Sequence, residues 1–484
     1  LKEKTSKYEL VVGLEIHVQL ATKSKLFASD KNSFGDAPNT NVSPITLAHP
    51  GTLPKPNTKA IEYAIKMGLA CNCEIARTTS FDRKNYFYPD LPKGYQTTQD
   101  NQPICIGGYL DVKSGEAMKR INFNRIHIEE DAGKSIHDST HTGTLLDYNR
   151  AGTPLIEMVT EPEISTAEEA GNLLTEVRRI VRFLGVGDGN MEEGSLRCDA
   201  NISLKKKGSD VLGRKVEIKN MNSIRNVQRA IQHEVQRQSH LLDQGKTVKQ
   251  ETRGFDDSTG KTTSQRTKEE ANDYRYFPCP DLLPIRIPES YLSEIKALMP
   301  KLPAEIAQEL QDQYKLSEYD AEIIAESESR ADYFFHTAKL CKHYKKIANW
   351  IIGPITNHLS ANGQDMTNLT ITAERLHELI ELVESGKLNY TTASTKVFES
   401  MIAQPEKSAN EVAKELALFQ DNNESELQKV VDEVLKNMPD KVQAFKKGKK
   451  GLLGLFMGEV MKRSKGKANP QIATKLINES LKKS

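Results

Sequence analysis

The chain has 484 residues, 37% hydrophobic and 27% charged, with a formal charge of +1. That composition supports ordinary cores and excludes a simple polycation, and about three domains are expected at this length. No apolar run approaches the ~20 residues a membrane-spanning helix needs, and the charged start over Leu1–Lys7 leads into no apolar segment, so neither a membrane span nor a secretory signal is expected.

The first element is a strand. Leu14, Ile16, Val18 and Leu20 alternate with Glu15, His17 and Gln19, a period of two that buries one face and leaves a carboxylate and an imidazole side by side on the other. Oxygen ligands with a nitrogen suit a divalent cation such as Mg²⁺ or Mn²⁺, although Glu-x-His alone fits a solvated strand face better. The Ile128-Glu-Glu-Asp131 segment adds Glu129 and Glu130, which point to opposite faces unless the strand ends or bulges there. From Pro154 to Val159 an apolar strand is interrupted by Glu157, a charge that is costly to bury unless paired or metal-bound. Ser195 to Leu204 alternates strictly, placing Arg197, Asp199 and Asn201 on one face, and from Arg214 the residues Lys215, Glu217 and Lys219 alternate with Val216 and Ile218.

Helical spacing predicts a helix over about 165–184 and another after Asn222-Ser223, a good N-cap. Past Pro300 and Pro303 the pattern turns almost wholly helical, with a joint at Pro405 and the polar stretch from Glu406 to Asn410. The six cysteines are scattered with no CxxC pair, and the Cys71-x-Cys73 pair lacks partners at zinc spacing, so reduced core thiols are expected. No P-loop, dinucleotide fingerprint or hydrolase triad can be read. The Gly260-Lys-Thr262 and Gly133-Lys-Ser135 segments lack the required upstream glycine, and the glycines at 185–189 follow a helix. Any ATP chemistry must use another scaffold, and metal-assisted group transfer is favoured over covalent catalysis.

The C-terminus is basic. From residue 441 onward twelve lysines and arginines face only Glu459 and Glu479. The cluster Lys446, Lys447, Lys449 and Lys450 precedes an apolar run, and Lys462, Arg463, Lys465 and Lys467 follow it. Phe445 and Phe456 are the only aromatics, so contact with a phosphate backbone fits better than base stacking. A solvated, solubilising tail is the alternative.

These segments together resemble the B-subunit family of the aspartyl/glutamyl-tRNA amidotransferases. The resemblance rests on Val12-Gly-Leu-Glu-Ile-His-Val18, Phe81-Asp-Arg-Lys-Asn-Tyr-Phe-Tyr-Pro89, Ile128-Glu-Glu-Asp-Ala-Gly-Lys134 and Asn149-Arg-Ala-Gly-Thr-Pro-Leu-Ile-Glu157. It continues through Met191 to Asn201, Gln250-Glu-Thr-Arg253, Asp273-Tyr-Arg-Tyr-Phe-Pro278 and Met461 to Pro470, so it covers the whole chain in order. Cys279 departs from the acidic residue common in the family.

The resemblance implies an α+β fold: an antiparallel-sheet cradle over 1–298, a helical domain over 299–408 and a tRNA-binding tail over 409–484. It implies ATP-dependent phosphorylation of the side-chain carboxylate of Glu-tRNA(Gln) or Asp-tRNA(Asn), then amidation by ammonia from a glutaminase A subunit, with a small C subunit clasping the two. ATP and Mg²⁺ (or Mn²⁺) are the implied cofactors and misacylated tRNA the substrate, in the cytoplasm or an organellar matrix. His17, Glu130 and Glu157 match one metal site; Glu15, Glu129 and Asp199 are candidates for a second cation or for ordering the ligands of the first. Arg197 is a candidate to offset phosphate charge, or a structural partner of Asp199. Lys84, Tyr86 and Lys93 fall in the segment that resembles the mouth of the ammonia path, with ordinary surface salt bridging as the alternative, and His127 is expected to be structural. The two other readings are a metal-dependent phosphohydrolase, from the acidic cluster, and a non-catalytic RNA scaffold, from the basic tail.

Overall fold

The structure is a computed structural model that describes residues 7–137, 143–267, 273–420, 424–464 and 468–483. Its first compact unit, Leu1–Leu302, is built on a ten-stranded sheet. From one edge to the other the strands are Lys261–Thr267, Glu251–Asp256, Val216–Met221, Leu196–Lys206, Tyr8–Gln19, Pro154–Thr160, Ala117–Glu130, Cys105–Ile106 and Glu74–Ile75, with Tyr109–Ser114 paired to Ala117–Glu130 off this path. All pairings are antiparallel except that of Val216–Met221 with Glu251–Asp256.

Period two decides which face is which. Leu14, Ile16 and Val18 are fully buried, and share one core with Ile126, Ile128, Ile156, Met158 and Ile202 from the neighbouring strands. The helices Thr58–Ala70, Ala167–Phe183 and Ile224–Asp243 contribute Ile65, Val177 and Ile231 to that core. Both predicted helices begin at side-chain caps: Thr166 accepts from the amide of Glu169 and Ser223 from that of Asn226, each satisfying a donor that the helix leaves unpaired. The alternate residues Glu15, His17, Glu157 and Asp199 lie on the other, polar face, so the core fixes the register that aligns them.

The second unit, Pro303–Ser484, is helical among its described residues. At the expected joint, Arg375 donates to the carbonyls of Met401, Gln404 and Lys407, and Ser408 with Glu411 forms a capping box opening the helix Ala409–Glu415. Glu378 accepts from the amides of Ala409 and Asn410, which ties that short helix to Ala373–Glu384. A separate small core gathers Leu427, Val431, Val434, Phe456, Val460 and Ile477 from the helices Glu424–Lys436, Leu453–Arg463 and Pro470–Lys483.

Candidate functional site

Strand register assembles the site. His17 lies opposite Glu157 on one side and Arg197 on the other, Glu15 lies opposite Asp199, and Glu157 lies opposite His127. His17 Nε2 is 3.5 Å from Glu157 Oε2 and 3.7 Å from Glu129 Oε1; His127 Nε2 is 3.4 Å and 3.8 Å from the same two carboxylates. Donors ~2.0–2.2 Å from a shared tetrahedral ion lie roughly 3.3–3.6 Å apart, so this spacing fits ligands around one cation. The donor chemistry fits too, since imidazole with carboxylate suits Mn²⁺, Fe²⁺ or Zn²⁺ as well as Mg²⁺.

Without an ion the charges answer one another. Burial opposes protonation of His127, but hydrogen bonding to Glu129 and Glu157 and their charges outweigh it and push its pKa up to about 9. The same balance raises His17. Burial works against the Glu157 carboxylate, yet the two imidazoles hold it well below its ordinary range. The Nδ1 of His127 is buried without a hydrogen-bond partner. His127, expected to be structural, therefore belongs to the cluster, which period two along Ala117–Glu130 carries: residues 127 and 129 share a face.

Glu130 does not join it. Its carboxylate takes an ion pair from Lys93 and a 2.9 Å hydrogen bond from the amide of Thr97, on the opposite side of the strand. The strand stays regular through Leu155↔Glu129 and Pro154↔Glu130, so consecutive carboxylates diverge and Glu129 takes the place expected of Glu130.

A second cluster brings Glu15 and Asp199 together with Glu217, whose nearest oxygens lie within 4.8 Å of one another. Glu217 is legible in the sequence as a polar-face residue, but nothing in its own strand connects it to the site; it faces Asn201 across the sheet. An all-oxygen set suits a hard ion such as Mg²⁺. Lys219 Nζ reaches it, 2.6 Å from Asp199 and 3.2 Å from Glu217. Burial, then the charge of Glu157, raise the pKa of Glu15, while Asn201 donates to it at 2.9 Å. Arg197 bonds Asp131 at 2.8 Å and not Asp199, and Gln19 bonds the same carboxylate.

Both clusters border an open cavity of about 590 Å³ lined by His17, Glu129, Arg197, Asp199, Lys219, Lys84 and Tyr86. Lys84 Nζ stands 5.0 Å over the Tyr274 ring, and Tyr86, Tyr274 and Tyr276 contact edge to face in sequence. Lys93 lines a different, smaller cavity of about 250 Å³ with Lys25, Tyr95 and Glu130, and Asp131 borders both. Lys25 is fully buried there, and burial lowers its pKa to about 8.

In the basic C-terminal segment Lys447, Lys449, Lys450 and Lys462 are exposed. Arg463 pairs with Glu433 at 2.5 Å and with Glu459 at 3.5 Å, so this surface cation is already engaged by neighbouring helices. Lys465, Lys467 and the side chain of Lys446 lie outside the described residues.

Comparison with known proteins now decides the family. The model of the GatB/GatE catalytic domain matches residues 10–293, and that of the GatB domain matches residues 332–481. The chain belongs to the GatB/GatE family. It is 47% identical to the B subunit of the aspartyl/glutamyl-tRNA(Asn/Gln) amidotransferase of Persephonella marina, over 98% of this chain and 100% of that one. It is 45% identical to the protein of the same name from Thermodesulfovibrio yellowstonii and 46% to that from Chlorobium luteolum, each over 98% of this chain and 99% of the relative. The catalytic-domain match of the family spans every residue of both acidic clusters, and no helix among the described residues is long and apolar enough to cross a membrane.

Proposed function

We infer that this chain is the B subunit of a glutamine-hydrolysing, ATP-dependent tRNA amidotransferase and carries its kinase and amide-forming steps. The observation that carries the reading is the coincidence of full-length family membership with a cavity lined by His17, Glu129 and Asp199, behind which His127 and Glu157 join the first two and Glu15 and Glu217 join the third. A carboxylate resists attack because its charge repels nucleophiles and it has no competent leaving group. Phosphorylation by ATP supplies that group, and ammonia then attacks the carbonyl and expels phosphate.

The two clusters are the proposed seats of divalent cations, Mg²⁺ in the first instance. A cation held there supplies charge that binds the nucleotide phosphates and offsets charge developing in the transition state. Around it the chain supplies placement. Glu157 and Glu129 fix both imidazoles from one side, and Asp131 aims Arg197 at the cavity, where its cation is set to meet phosphate oxygens. Lys84 and Tyr86 in the larger cavity, with Lys93 and its partner Glu130 in the smaller one, are the proposed ammonia path, and Asp131 borders both cavities. The partners are a glutaminase subunit, a small clasping subunit and misacylated tRNA, in the cytoplasm. The sheet-based unit is proposed as the catalytic cradle and the segment from 409 onward as the tRNA-binding tail, with Lys447, Lys449, Lys450 and Lys462 facing phosphates.

The test is reconstitution of the chain with the two partner subunits, ATP, Mg²⁺, glutamine and misacylated tRNA. The reading requires amidated aminoacyl-tRNA that depends on this chain and on ATP. Nucleic acid hydrolysis without ATP would favour a phosphohydrolase, and full activity with the cluster carboxylates removed would leave only a scaffold.

A further inference from the structure

The helical unit holds a group of metal-donor side chains that the amidation chemistry does not use. Cys341 follows the helix Glu328–Leu340, and His343 caps the helix Tyr344–Trp350 two residues on. His377 and Glu381 stand one turn apart on Ala373–Glu384, hence on the same face. A thiol sulfur, an imidazole nitrogen and a carboxylate oxygen from Cys341, His377 and Glu381 lie within 4.8 Å of one another. Glu381 Oε1 is 3.9 Å from His377 Nδ1 and 3.7 Å from His343 Nε2, too long for hydrogen bonds but close to donor spacing around a shared ion.

A further observation points to a ligand. The Nδ1 of His377 is buried and has no hydrogen-bond partner, although the Glu381 carboxylate lies 3.9 Å away, and an orphaned buried nitrogen is costly. The Cys341 thiol is fully buried between the two helix ends, yet His343 and Glu381 are about half exposed, which leaves an entry path from solvent.

We propose that Cys341, His377 and Glu381, with His343 3.7 Å from Glu381 as the fourth donor, form a zinc-class metal site that clips the junction of two helices to a third. One thiolate and one carboxylate neutralise a divalent charge, two neutral imidazoles complete four ligands, and binding releases the thiol proton. The thiolate excludes Mg²⁺, which distinguishes this site from both clusters of the sheet. The spacing, Cys-x-His followed 34 residues later by His-x3-Glu, explains why a search for paired cysteines passes over it.

Cobalt reports on thiolate ligation by its charge-transfer absorption, so the test is Co²⁺ and Zn²⁺ titration of the full-length chain after chelator stripping. One Co²⁺ per chain should give the thiolate-to-cobalt band, and zinc should abolish it and raise the melting temperature by several degrees. The band should persist in His17→Ala and vanish in Cys341→Ser. In His377→Ala and Glu381→Gln, which alter partly exposed positions and serve if Cys341→Ser fails to fold, affinity should fall about tenfold or more. A wild-type chain without the band overturns the proposal, as does a band that survives Cys341→Ser or an affinity unchanged in both His377→Ala and Glu381→Gln. None of these outcomes depends on the amidotransferase reading, which the reconstitution assay tests separately.

Discussion

Glu129 and Glu130 are adjacent in the chain and serve different cavities: Glu129 lies 3.7 Å from His17 Nε2, while Glu130 is paired with Lys93 on the other side of the strand. One peptide bond thus separates the candidate phosphoryl-transfer site from the Lys93 part of the candidate ammonia path, and the pleat of a regular strand makes the separation.

Substitution of Glu130 by Gln, or of Lys93 or Lys84 by Met, should therefore lower glutamine-driven amidation severalfold more than amidation driven by free ammonium. Free ammonium enters the open larger cavity from solvent nearer the acceptor, so it bypasses the smaller cavity with Lys93 and Glu130 and does not need relay past Lys84. Equal losses with both nitrogen donors would assign these residues to the phosphoryl-transfer site or to folding.

Lys219 shares the second cluster with Asp199 and Glu217, so an ammonium and a divalent cation compete for the same oxygens. Lys219→Met should tighten Mn²⁺ binding there by about tenfold, since each removed unit charge a few ångströms away is worth roughly 1 kcal/mol or more. Titration monitored by Mn²⁺ paramagnetic resonance reads this directly, with Glu217→Gln as the variant that loses the site.

Acid stability should report on Glu169, which caps the inner end of a network with Lys119, Ser114 and Ser165. Burial opposes its charge, but the bonds from Lys119 and the serines hold its pKa down at about 2. A depressed carboxylate stabilises the fold fully above its ordinary value near 4.5 and loses that contribution as pH falls towards 2. Glu169→Gln should cost roughly 1–3 kcal/mol at neutral pH and flatten the loss of stability between those limits, measured by denaturant unfolding across pH.

Deleting the chain from residue 409 should raise the KM for misacylated tRNA and flatten the salt dependence of binding. Every lysine withdrawn from a phosphate should reduce the slope of log affinity against log salt by about one. Arg463→Ala should change the slope least, because Glu433 and Glu459 already hold it. An unchanged slope after deletion would make the tail an assembly or solubility element.

The polar face of the sheet was legible because alternation is local: Glu15 and His17, Arg197 and Asp199, and the lone charge of Glu157 each stand out within a single strand. Which carboxylates meet is a matter of register between strands far apart in sequence, and no pattern in one strand encodes it. That is why Glu129, His127 and Glu217 take their places only with the fold. The divergence of Glu129 and Glu130 was foreseeable from the pleat, but the family resemblance drew Glu130 into the metal set. Arg197 likewise chose Asp131, three strands away, over Asp199 on its own strand. The Cys341 group was illegible for the same reason, with donors split between a helix junction and a helix far along the chain.

The central claim is that His17 and Glu129, with Glu157, hold the phosphoryl-transfer chemistry of this chain. The most direct test is ATP-dependent amidation of misacylated tRNA by the reconstituted complex carrying Glu129→Gln, driven once by glutamine and once by ammonium. The account predicts a loss of about a hundredfold or more with both nitrogen donors, while the variant stays folded and the partner still hydrolyses glutamine. A folded Glu129→Gln complex that amidates at near the unaltered rate would contradict it.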